Sequence, residues 1–308
     1  MPYINVDEVY ILDNTGAQVD QVTDLPYADA GLTESQQAQA RKNISAGGTN
    51  PNLLDNPFFT VNQRGAASYT GNVYMVDRWK GANSRTTITV NAGYVNLSTN
   101  SSGNGFLQQK LSESYTGVLT YSVYVRGTGA GVLSIQDSNG TSLDDITIDN
   151  PGNDWTLVSG TYEATTPVAA VVFRVNTSTN YDIKCVKLEV GSVSTLANDV
   201  PPDYGTELAK CRYYFHRLNA SGAVNILTGA TTSTTSATFV LPHEMAVNTG
   251  SITRTGTITV NGQSVTAASQ TQTSAGVTIT VTASGLIAYN GAVLNLASGA
   301  YIDISHDL

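Results

Sequence analysis

Apolar and polar residues alternate along most of this chain, in short runs that end at glycine, asparagine, aspartate or proline. The alternation is clear in TTITVNAGYVNLST (86–99), VLTYSVYVRG (118–127) and GVTITVTASG (276–285). A period of two residues places the apolar side chains of a strand on one face, as half-buried strands require. Because no amphipathic helical pattern separates the runs between 52 and 193, the sequence predicts a β-sandwich or jelly roll there.

The beginning of the chain has a different pattern. VYILDNTGAQVDQV (9–22) predicts a β-hairpin that turns at Asn14–Gly16. LTESQQAQARKNISAGG (32–48) predicts a short helix in which Thr33 and Gln36 form a capping box. The apolar stripe of this helix is thin, so it needs a partner, which copies of the same chain around a symmetry axis would supply.

These changes of pattern divide the chain into three predicted parts. We expect an attachment or trimerisation segment over 1–49, a jelly roll over 50–195 and a C-terminal β domain over 196–308. The predicted fold class is all-β: an elongated multi-domain protein with a jelly-roll sandwich, a C-terminal β-sandwich and a short N-terminal helix. Pro201 and Pro202 interrupt the strands before a short helix that Thr206 is expected to cap.

Composition and charge exclude several classes of function. The 308 residues carry only 13% charged side chains and a formal net charge of −9. A nucleic-acid partner would require a basic stripe, which the sequence lacks, so no nucleic acid is expected to bind. No run approaches 18 consecutive apolar residues and the acidic start is unlike a secretory signal, so we expect no membrane insertion.

An unusual stretch is CRYYFHRL (211–218), in which three aromatic residues stand between two arginines. Cys211 and His216 could be a nucleophile and its base, which must lie within hydrogen-bond reach of each other. Five positions apart, they fall on different faces of a helix and on opposite faces of a strand. We therefore predict no catalysis here, and we expect the aromatic side chains to be buried at a domain junction or between subunits.

No cofactor or metal site is predicted from the remaining titratable residues. The three histidines are isolated and form no HxH motif, and the two cysteines lack CxxC spacing and are expected to be buried. A structural Ca²⁺ ion in the jelly-roll loops is the alternative, with Asp77 and Asp182 as candidate ligands. The histidines and cysteines concerned are His216, His243, His306, Cys185 and Cys211.

Enzymatic activity is not expected either. Glycoside hydrolysis needs two carboxyl groups at a set separation. Asp144 and Asp145 are neighbours on a predicted strand, so their side chains point to opposite faces. The repeating turns of long β-helical depolymerases are absent from the sequence. The other acidic residues are scattered and cannot be paired from sequence: Asp77, Asp154, Glu163 and Glu189.

Aromatic side chains are the candidates for binding a glycan, because the apolar faces of sugar rings stack on flat aromatic surfaces. Trp79 and Trp155 are the two tryptophans, and each stands at the entry to a predicted strand. Burial in the core is the opposing interpretation and is favoured for both. The candidate glycan-binding residues are Trp79, Trp155, Tyr69 and Tyr289, with Tyr74, Tyr94 and Tyr115 as weaker candidates.

Several stretches resemble bacteriophage or prophage tail-fibre and appendage proteins. LTESQQAQARKNISA (32–46) resembles a helix found near fibre N-termini. NLLDNPFFTVNQRG, YMVDRWKG and VKLEVGSVST resemble the opening and closing segments of carbohydrate-binding-module-like jelly rolls in such proteins. ELAKCRYYFHRL, LPHEMAVNTGSIT and YIDISHDL resemble their C-terminal domain, with Asp307 in place of the usual glutamate, Ala246 in place of arginine and Asn248 in place of proline.

The resemblance implies a homotrimer on the virion, made in the host cytoplasm, whose N-terminal segment binds other tail or baseplate proteins. It implies a virion structural protein that adheres to the bacterial surface through a surface glycan, with the C-terminal domain as the receptor-binding tip. Two alternatives stay open: a structural head or baseplate decoration that binds no receptor, and a capsule depolymerase. Binding to intact cells and release of sugar ends would separate the three.

Overall fold

The computed structural model describes residues 11–12, 18–19, 48–99, 103–177, 179–219, 224–241, 251–273 and 276–306. The chain divides into two compact units, Met1–Gly48 and Thr49–Leu308. In the first unit, β1 (Ile11–Leu12) pairs antiparallel with β2 (Gln18–Val19), which is the pairing the predicted hairpin requires. The helix predicted from the capping box lies outside the described residues.

The second unit begins with a nine-stranded antiparallel sheet. Its order is β3-β5-β6-β11-β7-β10-β8-β9, and β4 pairs with β7. The strands are β3 (Ser68–Thr70), β4 (Lys80–Gly81), β5 (Thr86–Asn91), β6 (Tyr94–Thr99), β7 (Gly105–Thr128), β8 (Ala130–Gln136), β9 (Ser142–Asp149), β10 (Gly152–Val175) and β11 (Asn180–Val190).

The strands β7 and β10 fold this sheet into two layers. Each has 24 residues, and a straight strand of that length would extend about 80 Å. Their pairing shifts register between Ala164 and Val168, and a register shift of this kind bends a strand. Layer A contains β4, β8, β9, the first half of β7 and the second half of β10. Layer B contains β3, β5, β6, β11 and the other halves of β7 and β10.

The core of this sandwich lies between the layers. Leu133 and Phe173 from layer A and Ile88, Leu97 and Tyr181 from layer B are almost fully buried in one apolar cluster. The Phe173 and Tyr181 rings meet edge to face, with centroids 5.7 Å apart. The alternating positions of the sequence are therefore the inward positions of the strands, and the predicted all-β jelly-roll architecture is confirmed.

Residues after the sandwich form a short helix and a second β structure. The helix α1 (Tyr204–Arg212) begins two residues before Thr206, because the Asp203 carboxylate accepts a hydrogen bond from the Thr206 backbone N–H (2.9 Å). Asp203 is therefore the N-cap, and the prediction of Thr206 as the cap was wrong. The remaining strands are β12 (Phe215–Asn219), β13 (Val224–Thr231), β14 (Ser236–Leu241), β15 (Ser251–Thr255), β16 (Ile258–Val260), β17 (Gln263–Thr273), β18 (Gly276–Ala283), β19 (Gly291–Leu296) and β20 (Tyr301–Ser305).

The C-terminal β domain, predicted as a sandwich, contains a barrel and a small separate sheet. Six strands close into a barrel in the order β13-β14-β18-β17-β16-β19, and β12, β20 and β15 form a separate sheet. Ile302 and Ile304 of β20 belong to the same apolar cluster as Phe239, Ile279 and Leu294 of the barrel, so the small sheet packs on the barrel. The predicted boundary between domains at 195 and 196 lies within one compact unit, and the division there stays a prediction.

Candidate functional site

The CRYYFHRL segment is only partly buried. Cys211 is in the last turn of α1, whereas His216 is the second residue of β12, so the two belong to different elements. Cys211, Tyr214 and Phe215 are buried, and burial raises the pKa of the Cys211 thiol well above its ordinary value. A thiol held protonated is a poor nucleophile. The burial expected of the aromatic side chains is observed for Tyr214 and Phe215, whereas Tyr213 is 40% exposed.

Arginines from the sandwich cover the aromatic rings of this segment. The Arg78 guanidinium carbon lies 3.5 Å from the Tyr214 ring centroid, and the Arg64 guanidinium carbon lies 3.6 Å from that of Phe215. Arg78 also donates from Nε to the Asp55 carboxylate (3.1 Å). These cation–π contacts join the sandwich to the segment that leads into the C-terminal strands.

A second group of contacts reinforces the same junction. Arg217 donates from Nη1 to the Arg64 carbonyl oxygen of the sandwich (2.5 Å). Within the small sheet it donates two hydrogen bonds of 2.6 Å to the Asp303 carboxylate, and its guanidinium carbon lies 3.9 Å from the Tyr301 ring centroid. Gln63 donates from Nε2 to the Phe215 carbonyl oxygen (2.7 Å). We call the contacts made by Arg64, Arg78, Phe215 and Arg217 the junction. It ties the sandwich and the C-terminal strands together through side chains as well as through the backbone.

The two cysteines should not react with thiol reagents in the folded protein. Cys185 and Cys211 are free and buried, and desolvation raises the pKa of each thiol. We expect no labelling by a water-soluble disulfide reagent at pH 8, and labelling of both thiols after denaturation. Absorbance of the released thiolate measures this. Rapid labelling of the native chain would show that one of these sites opens.

Trp79 cannot present its ring to a sugar. It is 1% exposed, its ring lies 5.1 Å from that of Phe59, and its Nε1 donates to the Asn56 carbonyl oxygen (3.0 Å). The prediction of Trp79 as a glycan-binding residue is corrected for this reason, and its burial in the core, which the sequence favoured, is observed.

Tyr69 and Tyr289 lie at two other places. Tyr69 is partly buried, and its hydroxyl donates to Asn62 and accepts from the Ala66 N–H, which fixes the preceding loop. Tyr289 is 90% exposed in the loop between β18 and β19, with a φ of 60° that side chains larger than glycine rarely adopt. Its backbone N–H donates to the Thr231 carbonyl (2.9 Å), so the loop presents this ring from a fixed position.

Trp155 is partly exposed in the first half of β10, on the outer surface of layer B. Its ring meets the Tyr94 ring edge to face with centroids 5.9 Å apart, and the Arg126 guanidinium carbon lies 4.6 Å from its centroid. The Lys184 ammonium nitrogen lies 5.9 Å from the same centroid. Trp155 thus belongs to a cluster of aromatic and cationic side chains from four strands.

A row of polar side chains crosses the sheet beside Trp155. Asn96, Asp182 and Arg126 stand directly opposite one another on β6, β11 and β7. Arg126 donates from Nε to Asp182 (2.9 Å), and Asn96 donates from Nδ2 to the other carboxylate oxygen (2.8 Å). We call this surface the Trp155 face. Its residues are Tyr94, Asn96, Tyr124, Arg126, Trp155, Asp182 and Lys184.

Part of the outer surface of layer B, on β7, is covered by the segment that follows β11. Thr120 donates to the Gly191 carbonyl oxygen (2.6 Å), and Ser194 donates to the Ser122 hydroxyl (3.1 Å). Thr120 and Ser122 are therefore buried although they point away from the core. This covering segment leaves the Trp155 face open at the other end of the same strands.

The covering segment is held by a buried ionic cluster. The Lys187 ammonium group contacts Asp199 (2.6 Å), Glu189 (3.6 Å) and the Thr195 hydroxyl (2.8 Å). The Thr195 backbone N–H donates to Glu189 (2.8 Å). Lys187 and Glu189 have side chains with no exposed surface, so these charges stabilise one another rather than a ligand.

The acidic residues considered for catalysis or calcium have other partners. Asp144 accepts from the Tyr121 hydroxyl (2.9 Å), whereas Asp145 accepts from Ser134 and Ser142 on the other face of β9. Asp77 and Asp182, the calcium candidates, are paired with Arg64 and Arg126 instead. In the described ranges, no three histidine, cysteine or acidic side chains are placed to hold a metal ion, and His243 lies outside those ranges.

None of the helices within the described parts of the chain is long and apolar enough to cross a membrane.

Comparisons with known proteins give structural similarity only. No protein-family model matches the chain, and no curated protein matches it in sequence. Similar solved structures include the xylan-binding CBM22-1 domain of Paenibacillus barcinonensis Xyn10C, with 12% identity over 47% of this chain and 98% of that chain and a TM-score of 0.33. The xylanase Xyn10B of Clostridium thermocellum, complexed with xylohexaose, gives 18% identity over 46% of this chain and 29% of that chain, with a TM-score of 0.34. A mutant of a family 29 carbohydrate-binding module complexed with mannohexaose gives 13% identity over 44% of this chain and 96% of that chain, with a TM-score of 0.34.

Proposed function

We propose that this chain is a glycan-binding protein of a bacteriophage tail fibre or appendage, and that the Trp155 face is its binding site. The observation that carries the proposal is the Trp155–Tyr94 ring pair beside the polar row Asn96, Asp182 and Arg126. A glycan needs both kinds of contact, since its ring faces are apolar and its hydroxyl groups form hydrogen bonds.

The polar row can bind sugar hydroxyl groups without rearrangement. Asp182 is held by Arg126 and Asn96, so its carboxylate is fixed before a ligand arrives. Fixed side chains lose little conformational entropy on binding, which favours affinity. Asn96 also donates to Asn180 on the neighbouring strand, so the amide is fixed too.

The adhesion role rests on the tail-fibre resemblance of the sequence together with this face. In a homotrimer, three copies of the face would engage one bacterial surface, and effective concentration would convert weak single contacts into firm attachment. The chain acts by binding alone in this proposal, as part of the virion and without an enzymatic step.

The decisive variant is Trp155→Ala. We expect it to reduce retention of the labelled chain on a panel of bacterial surfaces and purified polysaccharides by about tenfold or more, because a stacked ring is lost. Tyr289→Ala is the matched control, since it removes an exposed ring from the barrel loop. Released reducing ends are measured in the same assay.

Each other outcome points to a different function. Loss of retention with Tyr289→Ala but not with Trp155→Ala would move the binding site to the barrel loop. Release of reducing ends would make the protein a depolymerase. No retention of the unaltered chain on any surface, including that of the natural host, would favour a structural virion part without receptor binding.

A further inference from the structure

A break in strand pairing places a lysine on the Trp155 face. β11 pairs with β7 as far as Ile183, opposite Val125, and pairing resumes at Cys185, opposite Tyr124. Lys184 therefore has no partner on β7, and the pairing of β11 with β6 also ends at Ile183. An extra residue of this kind is a β-bulge, which redirects the neighbouring side chains and occurs often beside binding sites.

The redirected lysine is held by aromatic rings. Its ammonium nitrogen lies 5.6 Å from the ring centroid of Tyr124 and 5.9 Å from that of Trp155. A cation at this distance is attracted by the electron-rich face of each ring. The Lys184 side chain is nevertheless exposed, so its charge is available to a ligand that stacks on Trp155.

The charge of Lys184 is not neutralised by a carboxylate of the described residues. Arg126, the other cation of this face, is paired with Asp182 (2.9 Å). The ion pairs found within the described ranges do not include Lys184. The Trp155 face therefore carries one open positive charge, although the whole chain has a formal net charge of −9.

We propose that the glycan bound by the Trp155 face is acidic, and that Lys184 pairs with the carboxylate of a uronic or similar acidic sugar. This inference rests on the proposed function, because it names the class of ligand for the same face. A chain of net negative charge repels polyanions at long range. A preference for acidic glycans would therefore depend on this local cation.

The test uses polygalacturonate, alginate and hyaluronan, each compared with its carboxyl-reduced form, together with neutral xylan and mannan. Binding of the full chain and of the variants Lys184→Ala, Lys184→Arg and Trp155→Ala is measured by titration. We expect the unaltered chain to bind at least one acidic polysaccharide. Its affinity for that polysaccharide should fall about tenfold when the carboxyl groups are reduced, and about tenfold in the variant Lys184→Ala. Lys184→Arg should retain most of the affinity because it keeps the charge.

Lys80→Ala is the matched control, since the Lys80 amine also lies near a ring, 5.4 Å from the Tyr74 centroid, but away from the Trp155 face. It should leave binding unchanged. The acidic-ligand inference would be overturned if neutral xylan or mannan bound as well as the acidic polysaccharides and binding depended on Trp155 but not on Lys184. The proposed function would stand in that case. No binding of any polysaccharide would overturn both.

Discussion

Replacing Lys187 with methionine is expected to lower the free energy of unfolding by about 3–5 kcal/mol. The substitution leaves Glu189 buried with no exposed surface, and it also removes the partner of Asp199 at 2.6 Å. An uncompensated buried charge costs more than the lost contact itself. Denaturant unfolding followed by circular dichroism measures the difference.

A double variant separates the free-energy cost of the unpaired Glu189 charge from the cost of altered packing around Lys187. Lys187→Met with Glu189→Gln should recover part of the lost stability, because the second change removes a buried negative charge. Lys110→Met is the control, since that lysine is exposed, and it should unfold close to the unaltered chain. An unfolding midpoint of Lys187→Met equal to that of the unaltered chain would show that Glu189 and Asp199 are not held by this ammonium group.

Trp79→Ala is expected to destabilise the protein by about 3–5 kcal/mol, the usual cost of truncating a fully buried tryptophan. The change leaves a cavity beside Phe59 and leaves the Asn56 carbonyl without the indole donor. Trp155→Ala should cost about 1 kcal/mol or less, because that ring is partly exposed on the sheet.

Tryptophan fluorescence can follow the effect of each substitution, because the chain has two tryptophans and each variant keeps one of them. Trp155→Ala keeps Trp79 as a reporter of unfolding, whereas Trp79→Ala keeps Trp155 as a reporter of ligand binding. We expect the first variant to fold and lose glycan binding, and the second to lose stability first. Equal destabilisation by both would contradict the separate roles of the two rings.

Local pattern predicted the strands well but not their continuity. TTITVNAGYVNLST became the antiparallel pair β5 and β6, with Asn91 opposite Tyr94. WTLVSGTYEAT (155–165) and VAAVVFRVNTS (168–178) are separate alternating runs in the sequence, and between them stands Pro167, which cannot donate to a ladder. They are one strand, β10, since the register shift between Ala164 and Val168 accommodates Pro167 without a ladder hydrogen bond.

The candidate site was only partly predictable, because local sequence pattern does not show which strands are neighbours in the sheet. Trp155 and Tyr94 were candidates because aromatic rings can be recognised one at a time. Arg126 and Lys184 were missed because their role depends on which strands are adjacent. Alternation shows that Arg126 points away from the core, but only the sheet order β6-β11-β7-β10 places it beside Trp155. The bulge at Lys184 has no recognisable signal in the residue types around it.

The junction has a consequence for where the Trp155 face lies relative to the C-terminal barrel. Arg64, Arg78 and Arg217 join the sandwich to the C-terminal strands, so the Trp155 face and the Tyr289 loop lie in one compact unit. The position of one relative to the other is then set by side-chain packing within that unit. Under the proposed function, a glycan bound at the Trp155 face would therefore hold the C-terminal barrel in one orientation relative to the surface that carries the glycan.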